Sequence, residues 1–141
     1  LAAKTWPLDA NTLVYAMNRL GGVRERANAA ALDGRLLTSA IVVSELLYGA
    51  ERSSKGDVNR REVHATISHL TVLPFDLAAA EHLARLRAHF EAAGKRRPRA
   101  DLMIAAQAIA AGATLVTHDD DLRGHPIPGL TVEDWYTPFE K

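Results

Sequence analysis

RADLMIAAQAIAAGATLVTHDDD, residues 99–121, decides the fold. Arg99 to Ala111 is rich in alanine and other strong helix formers, and Gly112 closes the run, so the segment predicts a helix ended by glycine. Ala113 to Thr117 then reads as a buried strand, apolar or β-branched at nearly every position. Asp119, Asp120 and Asp121 follow that strand directly.

Upstream, strand-like and helix-like segments alternate. Trp6 to Leu8 predicts a short strand ended by Asp9-Ala10-Asn11, and Thr12 to Arg19 a helical segment that Gly21-Gly22 stops. A second helix over Arg24–Asp33 leads to a strand at Leu36–Thr38, after which Ser39 stands ready to cap a helix from Ala40 to Arg52. Residues 53–57 read as a loop, Val58–His69 as an amphipathic helix and Leu70–Phe75 as a strand. Asp76 then caps a long helix through Ala93, which Gly94 ends. Pro126 to Pro128 mark an irregular connection to a C-terminal tail.

Strands alternating with helices of this length imply right-handed crossovers. The expected fold is α/β: a three-layer α/β/α sandwich with a mainly parallel central sheet, formed as a single domain over residues 1–141. Sheets of this kind bind ligands at the carboxyl ends of their strands.

The bulk numbers narrow the chemistry. Of the 141 residues, 48% are hydrophobic and 24% charged, values of an ordinary globular chain and not of a disordered one. Net charge is zero, so any attraction to nucleic acid has to come from local patches. There is no cysteine, hence no disulfide framework and no thiolate metal site, and metal chemistry falls to oxygen or histidine ligands. No apolar run approaches the ~20 residues of a membrane span, and no charged-then-apolar leader opens the chain, so no membrane association and a cytoplasmic address are expected.

The acids stand at the ends of separate strands or on the adjoining helices. Asp9 is placed equally well to cap a helix or to face a ligand. Glu45 lies on a helix carrying Ile41, Val42, Val43, Leu46, Leu47 and Tyr48, so it is expected among apolar neighbours with no solvated face. No Lys or Arg stands three or four residues away to neutralise it. Asp101 sits in the first turn of the alanine-rich helix, where a negative charge is favoured in any case, but it shares a side with Ile104 and Ala105. Of the aspartates after the last strand, Asp119 comes first and is expected inward, with Asp121 next. Each acid alone has a structural explanation. Together they form the oxygen-rich set that a hard divalent cation requires, with few direct carboxylates and several retained waters.

Lys95-Arg96-Arg97-Pro98-Arg99 immediately precedes Asp101 and would place cations beside the acids, where a phosphodiester backbone could be held. The alternative is a solubilising surface loop. The six histidines form no metal motif, and for His118 a structural role is favoured over one in the site. No phosphate-binding glycine loop or GxSxG is present, which disfavours nucleoside triphosphate and serine-hydrolase chemistry.

Four segments read together resemble the PIN domains, and within them the VapC-type toxins of bacterial toxin–antitoxin modules. They are LDANTLVYAMN with Asp9 and Asn11, TSAIVVSELLYGAERS with Glu45, RADLMIAAQAIAAGATLVTHD with Asp101, and DDLRGHPIPGLTVEDW, which continues from Asp119 through Asp121. The resemblance implies a Mg²⁺-dependent endoribonuclease, with Mn²⁺ able to substitute, that leaves a 5′-phosphate and a 3′-hydroxyl. It implies Asp9, Glu45, Asp101 and Asp119 as catalytic acids, the three aspartates as metal ligands, and Asn11, Thr117 and Asp121 in support. Lys95, Arg96, Arg97 and Arg99 would meet the RNA. A VapB-type antitoxin covering the acidic cleft and a homodimer are implied as partners. Ala10 and Leu122 depart from the family, which usually has a small hydroxyl residue and an aromatic there. The rivals are a haloacid-dehalogenase-like phosphatase with Asp9 as nucleophile, which would want an acid where Asn11 stands, and a non-catalytic metal-binding regulatory module.

Overall fold

Five parallel strands in the order β3-β2-β1-β4-β5 organise the molecule. They are β1 (Lys4–Leu8), β2 (Gly34–Ser39), β3 (Thr71–Leu73), β4 (Thr114–Val116) and β5 (Thr131–Glu133). Seven helices lie among them: α1 (Ala10–Met17), α2 (Val23–Asp33), α3 (Ala40–Arg52), α4 (Gly56–Ile67), α5 (Leu77–Ala92), α6 (Arg99–Ala110) and α7 (Asp120–Gly124). The computed structural model describes residues 4–138. The expected single domain also takes in residues 1–3 and 139–141, which lie outside the described residues.

The α/β/α sandwich follows from the parallel pairing, because every return to the same end of the sheet needs a crossover. Helix α1 packs on α2, α3 on α4 and α5 on α6. The central strands are apolar on both faces: Trp6, Pro7 and Leu8 of β1 and Leu115 and Val116 of β4 are buried. Helix α6 buries Leu102, Ile104, Ala105, Ala106 and Ala108, so its alanines serve close helix packing as well as propensity. Pro7 is tolerated in a central strand because β1 pairs with β4 only at Leu8, opposite Val116.

The caps form where the sequence places them. Ser39 Oγ accepts the Ile41 amide at 2.9 Å and Asp76 Oδ1 accepts the Ala79 amide at 3.0 Å. Two elements differ from expectation. Residues 126–138 are not an irregular tail: Ile127 and Trp135 are buried, and β5 extends the sheet beside β4. The run after Asp119 winds into α7, one short helix anchored by buried Leu122. Among the described residues no helix is long and apolar enough to cross a membrane.

The strand order carries the functional consequence. From β1 the chain steps outward through β2 and β3, then returns to the opposite side of β1 for β4 and β5. Between the carboxyl ends of β1 and β4 the connections diverge, which leaves an open crevice of the kind that binds ligands in doubly wound sheets.

Candidate active site

Asp9 follows β1 and Asp119 follows β4, so both stand at that crevice. The backbone there is tightly stitched: the Asp9 amide donates to Val116 O at 3.1 Å, the Thr12 hydroxyl to Val116 O at 3.2 Å, and the Thr38 hydroxyl to Leu8 O at 2.8 Å. Asp9 caps α1 by accepting the Thr12 amide on Oδ1 at 2.9 Å. Asp119 caps α7 by accepting the Asp121 amide on Oδ1 at 2.8 Å. Cap and ligand are not alternatives here, since a carboxylate has two oxygens and the cap engages one.

Asp9 is only 8% exposed. Burial pushes its pKa up, the hydroxyls of Thr117 and Thr12 and the Thr12 amide pull it down, and the charge of Asp119 raises it again. Thr117 is fully buried and its hydroxyl also accepts the Asp119 amide at 3.0 Å, so one side chain supports both acids. Asp101, in the first turn of α6 and half-buried, has its pKa raised by burial and by Asp119, against a lowering by Arg97, with Asp9 and Asp121 adding further repulsion. The pKa of Glu45 is raised by partial desolvation, then by Asp101 and Asp9. The four acids are therefore brought together, each within electrostatic reach of others.

Glu45 corrects one expectation. It is not enclosed by apolar side chains: Ser44, Glu45, Tyr48 and Gly49 are all exposed, Tyr48 at 62%. Helix α3 buries only Val42 and Ala50, so the remaining apolar residues lie at its rim and the carboxylate stands at an open mouth.

No partner cation absorbs this charge. Among the described residues no ion pair involves Asp9, Glu45, Asp101 or Asp119. His118 is turned elsewhere, with Nδ1 2.8 Å from Asp134 Oδ2 and its ring stacked on Tyr136 at 4.5 Å. That Tyr136 ring lies against Gly21, where a Cβ would come within 2.3 Å of it. His118 is thus structural, as its sequence context favoured. Asn11 is exposed in the first turn of α1, and Asp121 is exposed on α7.

The basic run divides. Lys95, Arg96 and Arg99 are exposed, whereas Arg97 is part-buried with its guanidinium over the Phe90 ring at 5.3 Å. Arg97 Nη1 donates to His125 O at 3.1 Å and Nη2 to Asp121 O at 3.3 Å. A cavity of about 560 Å³ lies along this seam, lined by Phe90, Arg96, Arg97, Pro98, Asp121 and His125 among others.

The donor set suits a hard cation. It is oxygen only, clustered and unneutralised, and mutual repulsion of this kind is relieved by a bound positive charge. Among the described residues no group of three or more acidic or histidine side chains stands in position to ligate one ion together. That spacing suits an ion held by one or two carboxylates with water completing its coordination, as Mg²⁺ prefers.

Two residues of this architecture carried no functional reading in the sequence. Thr12 orients Asp9 and is buried; its signal is the three-residue cap spacing. Buried Gln107 accepts from the Ser39 hydroxyl and donates to Leu73 O at 3.1 Å, fixing the start of α3 below Glu45. Its signal is a lone amide in an otherwise apolar helix.

Comparison with known proteins agrees with this geometry. The PIN domain family model matches residues 8–126. The tRNA(fMet)-specific endonuclease VapC of Salmonella typhimurium is 38% identical over 130 residues, covering 91% of this chain and 96% of that protein. The protein of the same name from Shigella flexneri is 33% identical over 129 residues, with the same coverage. Among solved structures, VapBC2 from Rickettsia felis bound to a DNA fragment from its promoter superposes with a TM-score of 0.86 at 31% identity, covering 93% of this chain and 98% of that one. DNA-bound VapBC from Salmonella typhimurium gives a TM-score of 0.84 at 36% identity, covering 94% and 98%.

Proposed function

The chain belongs to the PIN-domain family, and from that membership we propose that it is a VapC-type endoribonuclease, the toxin of a VapBC toxin–antitoxin pair, acting as a single domain in the cytoplasm. Its relatives along 91% of its length are named as ribonucleases. Membership sets aside the phosphatase reading of Asp9. Nucleases of this group depend on a divalent metal; we assign Mg²⁺, with Mn²⁺ able to replace it.

The observation that carries the reading is the cluster of Asp9, Glu45, Asp101 and Asp119 at the β1/β4 crevice, mutually repelling and without an ion-pair partner. Asp9, Asp101 and Asp119 would hold the cation, with Thr117 and Thr12 orienting Asp9, and Asp121 and Asn11 at the periphery. When bound, the ion supplies stabilisation of phosphoryl charge and makes an attacking water more acidic. Glu45 caps no helix and its raised pKa suits it to take the proton that water loses. Attack at phosphorus breaks the P–O3′ bond and leaves a 5′-phosphate and a 3′-hydroxyl. Exposed Lys95, Arg96 and Arg99 would hold flanking phosphates, and the wet cleft allows an unpaired RNA strand to lie across them.

The partners in this reading are RNA, a VapB-type antitoxin and a second copy of the chain. Purified protein incubated with mixed RNA should cut it only with Mg²⁺ or Mn²⁺ and stop on chelation. Asp101→Asn should abolish cutting while circular dichroism stays unchanged; equal cleavage by that variant defeats the assignment.

A further inference from the structure

Arg97 stands apart from the rest of the basic run. It lies in the lead-in to α6, whose first turn carries Asp101, and its two terminal nitrogens reach across to two backbone carbonyls, Asp121 O in α7 and His125 O just after it. Its plane rests over buried Phe90, so the fork is oriented from below. A planar guanidinium bridging two acceptors is fixed in direction as well as in place, which an ammonium cannot reproduce.

Helix α7 has only a few other attachments. Leu122 anchors it in the core, and Arg123 ties it toward the β5 side, by Nη2 to His118 O at 3.3 Å and by Nη1 3.4 Å from Asp134 Oδ2. Neither reaches α6. The tie between the helix that Asp119 caps and the helix that carries Asp101 is the Arg97 fork.

We propose that Arg97 is a positioning residue: by spanning the carbonyls of Asp121 and His125 it holds α7, and with it Asp119, opposite Asp101, and so sets how tightly the acid cluster takes a divalent cation. This rests on the reading of the acids as a metal site. It assigns Arg97 a role other than meeting RNA phosphates, which falls to Lys95, Arg96 and Arg99.

The sign of the effect separates positioning from charge. Arg97 is also the cation nearest Asp101. If its charge alone mattered, removing it would deepen the negative potential and tighten cation binding, and a lysine would act like the wild type. Positioning predicts the reverse: both Arg97→Gln and Arg97→Lys loosen binding, by about tenfold, the usual effect of losing a group that orients a ligand.

The test uses the full chain without RNA and follows Mn²⁺ affinity by titration calorimetry, with amide exchange across residues 119–125 and melting temperature as companions. Expected are weakened Mn²⁺ binding and faster exchange in α7 for both Arg97 variants, and unchanged binding for Arg96→Gln, which should instead raise KM for RNA. Tighter Mn²⁺ binding by Arg97→Gln, or unchanged binding with only KM raised, overturns the proposal. Should Arg97→Gln unfold, the lysine variant, which keeps the charge and stem, decides alone. Asp101→Asn distinguishes the layers: if it too binds Mn²⁺ like the wild type, the metal-site reading itself fails, whereas lost binding there with intact binding in the Arg97 variants sinks only the role of Arg97.

Discussion

Asp9 and Asp76 occupy the same local motif, an aspartate between a strand and a helix, with extended backbone and a side-chain oxygen accepting the amide three residues on, at 2.9 and 3.0 Å. One is buried among other acids; the other is exposed. The difference lies in the strand each follows. β1 is central and flanks the switch point beside β4, whereas β3 is an edge strand paired only with β2. The same cap therefore becomes a functional group at the sheet's centre and stays a cap at its margin. What the motif decides is one carboxylate oxygen; the topology decides the other.

The largest contrast between the two junctions should be catalytic. Asp9→Asn keeps the capping oxygen but removes a charge from the cluster, and should lower kcat/KM on RNA on the order of 10³-fold, the scale of losing a preorganised electrostatic group. Asp76→Asn should leave the rate within about twofold, since a surface cap is exchanged for an equally good one. Comparable losses in both variants would erase the distinction drawn from strand order.

Metal response comes next. With Mn²⁺ at about a hundred times its Kd, binding should add about 2.7 kcal/mol of stability, or about 10 °C in Tm for a domain of this size. The wild type and Asp76→Asn should both show that rise in differential scanning fluorimetry. Asp9→Asn should lose most of it, and a full rise in that variant would remove Asp9 from the ligand set.

Much of this was legible before any coordinates. The helices with strong caps and alanine-rich or amphipathic faces, α3, α5 and α6, stand where the sequence puts them, because capping and periodicity are local. The four acids were legible as strand-end and first-turn residues, and β4 as a buried strand. What escaped depends on distant partners. β5 is three residues long and exists because β4 offers Thr114, Leu115 and Val116 to Thr131, Val132 and Glu133. The exposure of Glu45 depends on how little of α3 the core covers, which no pattern within α3 reveals. The Arg97 fork binds carbonyls 24 and 28 residues away, and a carbonyl has no residue type to read.

A smaller effect tests the charge at Asp9 directly. Its folded pKa is raised, so the metal-free fold binds that proton more tightly than the unfolded chain does, and its contribution to stability is full below the ordinary carboxylate range and lost as pH rises through the raised value. In chelator, the wild type minus Asp9→Asn difference in Tm should therefore fall with rising pH across that window, and Mn²⁺ should restore it. The same subtraction for Asp76→Asn should be flat. A wild type that gains on Asp9→Asn as pH rises would mean that the carboxylate is stabilised in its charged form.

The smallest effect isolates the cap itself. Asp76→Ala removes the acceptor of the Ala79 amide and should destabilise by about 1 kcal/mol, roughly 4 °C in Tm, without altering the Mn²⁺ response. Asparagine at the same position should restore the loss, because its side-chain oxygen can take the same amide. At Asp9 the signs part: in chelator at neutral pH, Asp9→Asn keeps its cap and sheds a buried charge, so it should melt above the wild type. If it melts below, the hydrogen bonds from Thr12 and Thr117 outweigh burial and the repulsion of Asp119, and Asp9 is a structural cap like Asp76.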